Sequence, residues 1–199
     1  ATDIYFSEYH EPTGGGTFQW NRYFEIYNGS ADQIDMKNYA ILYCKDACAT
    51  GGKYESVLQF GTLADFPTTT VASGETYVIR HKNVNVLSDI VSAADGKTGV
   101  LYQTGNDPYA LVKKGAAFTA TKAKAGTDYT VMDVIGFPQG SDTGYHVCGA
   151  SNGLQDATLV KKEGKQGNTN WGLSRGKNGS TSLASSCDWI RTTGNDRAD

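Results

Sequence analysis

The sequence predicts an all-β sandwich, on three observations. Short runs rich in Tyr, Val, Ile and Phe recur at 4–9, 22–27, 39–43, 56–60, 76–80, 109–113, 130–135 and 158–162. Clusters of Gly, Asn, Asp and Ser separate them, which is how strands and turns are punctuated. Several runs alternate apolar with polar positions, as a sheet with one wet face requires. Eight or so short strands bury their apolar faces best as two packed sheets.

Taken in order, Ile4 and Phe6 share one side of the first run, and Phe24 and Ile26 share one side of the second. Between them, Gly14-Gly15-Gly16 reads as a flexible hairpin tip, because it lacks the Lys and Ser or Thr of a phosphate loop. Residues 84–94 hold the one helical candidate, with Val86, Leu87, Ile90 and Val91 near helical spacing. At barely three turns it serves as a connector. Thr130-Val131-Met132-Asp133-Val134-Ile135 is apolar at nearly every position, the pattern of a central strand. Residues 116–128 set Thr and Lys against Ala in alternation, which suits a projecting hairpin arm. From 165 to 199 the chain turns rich in Gly, Ser and Asn, an irregular tail packed on the body by Trp171 and Trp189, with 192–199 loose or held by a neighbour. No repeat or linker divides the chain. The expectation is a single domain over 1–199, with a sandwich at 1–164, the arm at 116–128 and the tail at 165–199.

The 199 residues suit one domain, and 18 basic against 21 acidic side chains give a net charge of −3. Such a surface has no general attraction for phosphate backbones, so nucleic acid is not expected as a partner. No apolar run approaches the roughly 18 residues that cross a bilayer, so membrane insertion is not expected either. The opening Ala1-Thr2-Asp3-Ile4 reads like the start of a mature, cleaved secreted protein. Cys44, Cys48, Cys148 and Cys187 allow three disulfide pairings. Cys44 with Cys48 and Cys148 with Cys187 is the favoured one; reduced thiols and a zinc site are the rivals. The long gap between Cys48 and Cys148 and the lack of a second close pair weaken zinc. Bridged cysteines imply an oxidising compartment, and the expected location is extracellular, secreted or at the cell surface.

Six segments in a fixed order carry a family resemblance. They are Ile-Tyr-Phe-Ser-Glu-Tyr at 4–9 and Phe-Glu-Ile-Tyr-Asn-Gly-Ser at 24–30 with 34–39 after it; Ser73-Gly74-Glu75-Thr76-Tyr77-Val78-Ile79; Gly105-Asn106-Asp107-Pro108-Tyr109 running into Leu111-Val112-Lys113; Met132-Asp133-Val134-Ile135-Gly136; and Thr158-Leu159-Val160-Lys161-Lys162 with Trp171 and Cys187-Asp188-Trp189-Ile190. Together they resemble the lamin-tail domain in its secreted form, over nearly the whole chain. The resemblance implies an immunoglobulin-like β-sandwich with no catalytic residues to carry over. It also implies a role in contacts, since such modules occur in nuclear lamins and beside secreted hydrolases and in surface proteins. Family members join the Leu-Val-Lys strand to the Asp-Val-Ile-Gly strand by a tight turn, so the residues at 116–128 mark a departure.

Candidate chemistry is sparse. Gly149-Ala150-Ser151-Asn152-Gly153 matches a nucleophile elbow in letters, yet no helix pattern follows and His10, His81 and His146 all precede the serine. Glu8, His10, Glu11 and Glu25 lie on strands expected to be neighbours, where an acid pair or a cation site can be imagined beside an ordinary hydrogen-bonding role. Asp32, Asp35, Asn106 and Asp107 sit in loops without the alternating-acid pattern of a calcium loop, and turn formation explains them equally. Asn28-Gly29-Ser30 and Asn178-Gly179-Ser180 satisfy the acceptor rule for N-linked sugar. The expected function is that of a non-catalytic extracellular structural or adhesive module, without a cofactor. It associates with other copies of itself into an assembly or filament through strand edges and terminal segments, with Phe118, Thr119, Lys122 and Lys124 of the arm at the contact. The alternative is a module that binds carbohydrate or another surface polymer through exposed aromatic rings.

Overall fold

The computed structural model describes residues 4–12, 20–45, 48, 53–61, 66–83, 88–101, 103–137, 146–178 and 180–193, with the backbone alone for 88–90. In chain order the strands are β1 (Ile4–Glu11), β2 (Tyr23–Asn28), β3 (Ile34–Asp35), β4 (Tyr39–Tyr43), β5 (Ser56–Gln59), β6 (Thr70–Val71), β7 (Thr76–His81), β8 (Gly96–Thr98), β9 (Tyr109–Lys114), β10 (Tyr129–Ile135), β11 (Ala157–Lys161), β12 (Lys177–Asn178), β13 (Thr181–Ser182) and β14 (Trp189–Thr193). Among the described residues three short α-helices join them: α1 (Ser88–Ala93), α2 (Ala120–Ala125) and α3 (Trp171–Ser174).

Two sheets form the sandwich. One runs β14-β11-β1-β2-β7-β8 and the other β10-β9-β4-β5. All their pairings are antiparallel except β7 with β8. Each of the eight apolar runs of the sequence is a strand. A bulge between Phe6 and Glu8 shifts the side-chain alternation, so Phe6 and Tyr9 both point inward and are fully buried. There Phe24 meets Tyr109 of the facing sheet edge-on, with ring centroids 4.8 Å apart, a favoured aromatic geometry.

A second bulge, between Val131 and Asp133, places Asp133 opposite the core residue Leu111. Its carboxylate is fully buried and 3.1 Å from Lys161 Nζ, so the two sheets are linked by an ion pair as well as by apolar contact. Phe6, Val134 and Asn168 donate backbone N–H bonds to the same carboxylate at 3.1, 2.9 and 2.8 Å. A buried carboxylate needs such a set of donors to offset the loss of water.

Three expectations need correction. The 130–135 run was expected to be central, but β10 is the outer strand of its sheet. Its edge is covered by the chain near Gly167, where an added Cβ would lie 2.7 Å from the Met132 carbonyl, so burial came without a second strand neighbour. The tail is not wholly irregular, because β14 pairs along β11 from Ala157–Thr193 to Lys161–Trp189 and completes the six-stranded sheet. The sandwich therefore does not end at residue 164. Finally, 116–128 forms no projecting strand arm.

That segment folds as α2. Ala and Lys are strong helix formers, and alternation over so few residues does not distinguish the two structures. The Thr119 hydroxyl caps the start by accepting the Lys122 N–H at 3.2 Å, and Gly126 ends the helix at φ 80°, a conformation glycine adopts without strain. Ala123 is buried, and α2 packs against β5. Residues 84–87, 13–19 and 194–199, on which the rest of the connector helix, the glycine tip and the loose end were expected, lie outside the described residues; α1 occupies the second half of the helical stretch.

Candidate functional site

Cys44 bridges Cys48, and Cys148 bridges Cys187, leaving no free cysteine. The second bridge joins the turn before β11 to the residue that leads into β14. Two disulfides fit an oxidising environment, and among the described residues no helix is long and apolar enough to cross a membrane.

The acids of β1 and β2 are not gathered into one site. Glu8, His10 and Glu25 share one face of the six-stranded sheet, whereas Glu11, past one more alternation, lies on the other. Each has a structural partner. The Tyr23 hydroxyl donates to Glu8, and Ser7 Oγ donates to Glu25 at 2.7 Å. His10 Nδ1 is 2.8 Å from Thr158 Oγ1 and the ring stacks on Tyr23. Glu11 accepts the Asp156 N–H; burial, followed by the charge of Asp156, pushes its carboxyl up to about 7, with the backbone bond and Arg22 opposing.

Asp35 and Asp107 serve their own turns. Asp35 Oδ1 accepts the Lys37 N–H at 2.9 Å, and Asp107 Oδ2 accepts the Thr104 N–H at 2.6 Å. Asp32 and Asp35 border a hollow of about 330 Å³ that Lys113 also lines. Among the described residues no three His, Cys, Asp or Glu side chains are grouped to hold a metal. Ser151 lies in a turn that continues to Asp156 and leads into β11, so the strand–serine–helix geometry of a nucleophile elbow is lacking there.

Of the two sequons, the one at Asn28 has its acceptor amide sequestered in the folded protein. Asn28 is fully buried, and its Nδ2 donates to the carbonyls of Asp32, Val71 and Ala72 at 2.8, 3.0 and 3.0 Å. The amide that would carry the sugar instead ties β2 to the chain around β6. Asn178 is exposed in the two-stranded ribbon β12-β13. In the arm, Phe118 packs back on Tyr129, with centroids 6.5 Å apart, while Lys122 and Lys124 are exposed in the last turn of α2, where cations suit the helix dipole.

Two features escaped the sequence reading. A groove of about 500 Å³ opens where β10 runs into Gly136, walled by Tyr54, Phe137 and Trp171, floored by Val131 and Val134, and edged by Thr169 and Asn170. Trp171 is buried, yet its Nε1 meets no acceptor among the described residues. Around Lys161, the second feature, Nζ sits 3.7 Å from the centre of the Trp189 ring and 6.0 Å from that of Tyr5. The one sequence signal was the lone acid, Asp133, inside an apolar run.

Comparisons agree with this architecture. A DUF4876 family protein from Bacteroides thetaiotaomicron has a similar structure, with a TM-score of 0.50 and 15% identity over 98% of this chain and 69% of that one. At that identity the likeness concerns the fold alone. No curated protein matches the chain. The model of the Lamin Tail Domain matches residues 1–166, most of the 199. The motifs that suggested it form β1, β2, β7, β9, β10 and β11 of a two-sheet sandwich, and the chain belongs to the Lamin Tail Domain family.

Proposed function

We propose that this chain is a non-catalytic extracellular contact module that associates with copies of itself by strand addition, with β14 as the receiving edge. One observation carries the reading: β14 is an outer strand, and of the four large hydrophobic side chains exposed among the described residues Ile190 lies on it, with Leu173 in α3 and Leu183 after β13 earlier in the same C-terminal stretch. An outer strand presents unpaired backbone groups, and Ile190, 49% exposed, adds apolar area beside them. Addition of a different segment from each copy is a head-to-tail contact, which extends as a filament when the rotation between copies does not close a ring. The arm takes no part as a strand in this reading, because its backbone bonds are spent within α2. Sedimentation velocity across a concentration series tests it. Growth of larger species with concentration, reduced by Ile190→Lys, is expected; a monomer at every concentration refutes it.

The groove beside Trp171 favours the second reading, a module that binds carbohydrate or another surface polymer, because walls formed by Tyr54, Phe137 and Trp171 with Thr169 and Asn170 at the rim suit a neutral ligand with apolar and polar faces. Glycan-array binding that is lost in Phe137→Ala, by a protein that stays monomeric, would establish it in place of self-association.

A further inference from the structure

The pair Asp133 and Lys161 has a chemical possibility beyond the ion pair. An ammonium beside a carboxylate has the same atoms as an amide plus one water, so their condensation needs no oxidant, cofactor or second substrate. We propose that Lys161 and Asp133 condense spontaneously into an intramolecular amide that staples β11 of one sheet to β10 of the other.

The site holds the reacting groups in place. Nζ lies 3.1 Å from Asp133 Oδ2, and the side chains are 3% and 0% exposed. Contact at that distance, held by packed strands, replaces a bimolecular encounter with a positioned one. The two carboxylate oxygens are not equivalent. Oδ1 accepts the N–H groups of Val134 at 2.9 Å and Asn168 at 2.8 Å, a fixed pair of donors facing the oxygen that gains negative charge when nitrogen adds to Cγ. Oδ2 accepts from Lys161 itself and from the Phe6 N–H, and is the oxygen placed to leave.

The balance is simple. The neutral amine adds through its lone pair to Cγ of the carboxylic acid, forming the Nζ–Cγ bond. The Cγ–Oδ2 bond then breaks, a proton from Nζ goes to the departing oxygen, and water leaves. Oδ1 remains as the amide oxygen on its two donors. The rings of Trp189 and Tyr5 wall the amine on β11. Burial first of all pushes Asp133 up and Lys161 down, each towards the neutral form that the addition uses, while each partner's charge and hydrogen bonds oppose. Asp188 is the other acid acting on Lys161; it is also bonded to Lys165, Nζ to Oδ1 at 3.0 Å.

Intact-mass measurement of the native chain tests the proposal directly. The expected mass is that of the sequence with both disulfides formed, less one further water. Digestion after reduction should yield one branched peptide joining the segments that carry residues 133 and 161. Lys161→Arg keeps the cation but has no competent amine and should retain the water. Asp133→Asn should reach the same final mass as the parent chain, by loss of ammonia. A parent mass that retains the full water overturns the proposal. So does a loss that persists in Lys161→Arg, since a succinimide at Asp95-Gly96 would also expel water without joining the strands.

Discussion

Replacing both cysteines of one bridge by alanine should separate the two disulfides by about 2 kcal/mol. On the chain-entropy relation, a bridge stabilises by shrinking the unfolded ensemble, and the effect grows with the logarithm of the closed loop. Cys148 and Cys187 are 39 residues apart and Cys44 and Cys48 only 4, so the relation gives about 4 kcal/mol for the first and about 2 kcal/mol for the second. Each bridge has one fully or nearly buried cysteine, Cys187 and Cys44, and one partly buried, so the small cavities left by alanine largely cancel in the comparison. The larger loss is a substantial share of the roughly 5–15 kcal/mol that stabilises a typical domain. Urea unfolding of the parent and both double variants, with midpoints and slopes fitted together, measures the difference. Equal losses, or a larger loss in Cys44→Ala with Cys48→Ala, would refute the reasoning and show that strain or residual unfolded structure governs these bridges.

Three other outcomes follow from particular side chains. The Glu11 carboxyl is held near 7, above its ordinary 4.5, so the folded protein keeps a proton that the unfolded chain releases. Its contribution therefore falls as pH rises from about 4.5 through 7, by up to about 3 kcal/mol, and Glu11→Gln should flatten the decline between pH 5 and pH 8 in urea midpoints. His81 is pushed down to about 4, first by burial and then by Arg22 and Lys82. Its stabilising contribution is complete above pH 6.5 and lost as pH falls towards 4, and an NMR titration in which the ring protonates near 6.5 would contradict this. Asn28→Ala leaves buried carbonyls without their donor and should cost about 1–3 kcal/mol in chemical unfolding, whereas a glycan found on Asn28 of folded protein would overturn the assignment.

The strands were legible because alternation and turn residues act locally. Ile4 with Phe6 and Phe24 with Ile26 declared their inner faces, and all eight apolar runs became strands. What failed depends on partners distant in sequence. The apolar face of β10 implied burial, but burial is also achieved by a crossing loop, here the one at Gly167, so the place of β10 in its sheet was hidden. In 116–128 the caps Thr119 and Gly126 were visible, yet alternating Thr and Lys outweighed them in the reading. β14 was obscured because Trp189 and Ile190 stand alone among polar residues, and its order comes from pairing with β11. Asn28 shows the same limit: a sequon is written in three letters, whereas access to its nitrogen depends on carbonyls more than forty residues away. The groove at Trp171 and the Asp133–Lys161 contact join β10 to segments beyond residue 160, and no local pattern announces either.

Hydrogen exchange of the native protein at low and high concentration addresses the contact surface itself. If copies add strands at β14, the outward amides within Trp189–Thr193 gain protection as concentration rises, while those of 116–128 stay unchanged. Exchange at β14 that is independent of concentration, or protection that appears at 116–128 instead, would contradict the account.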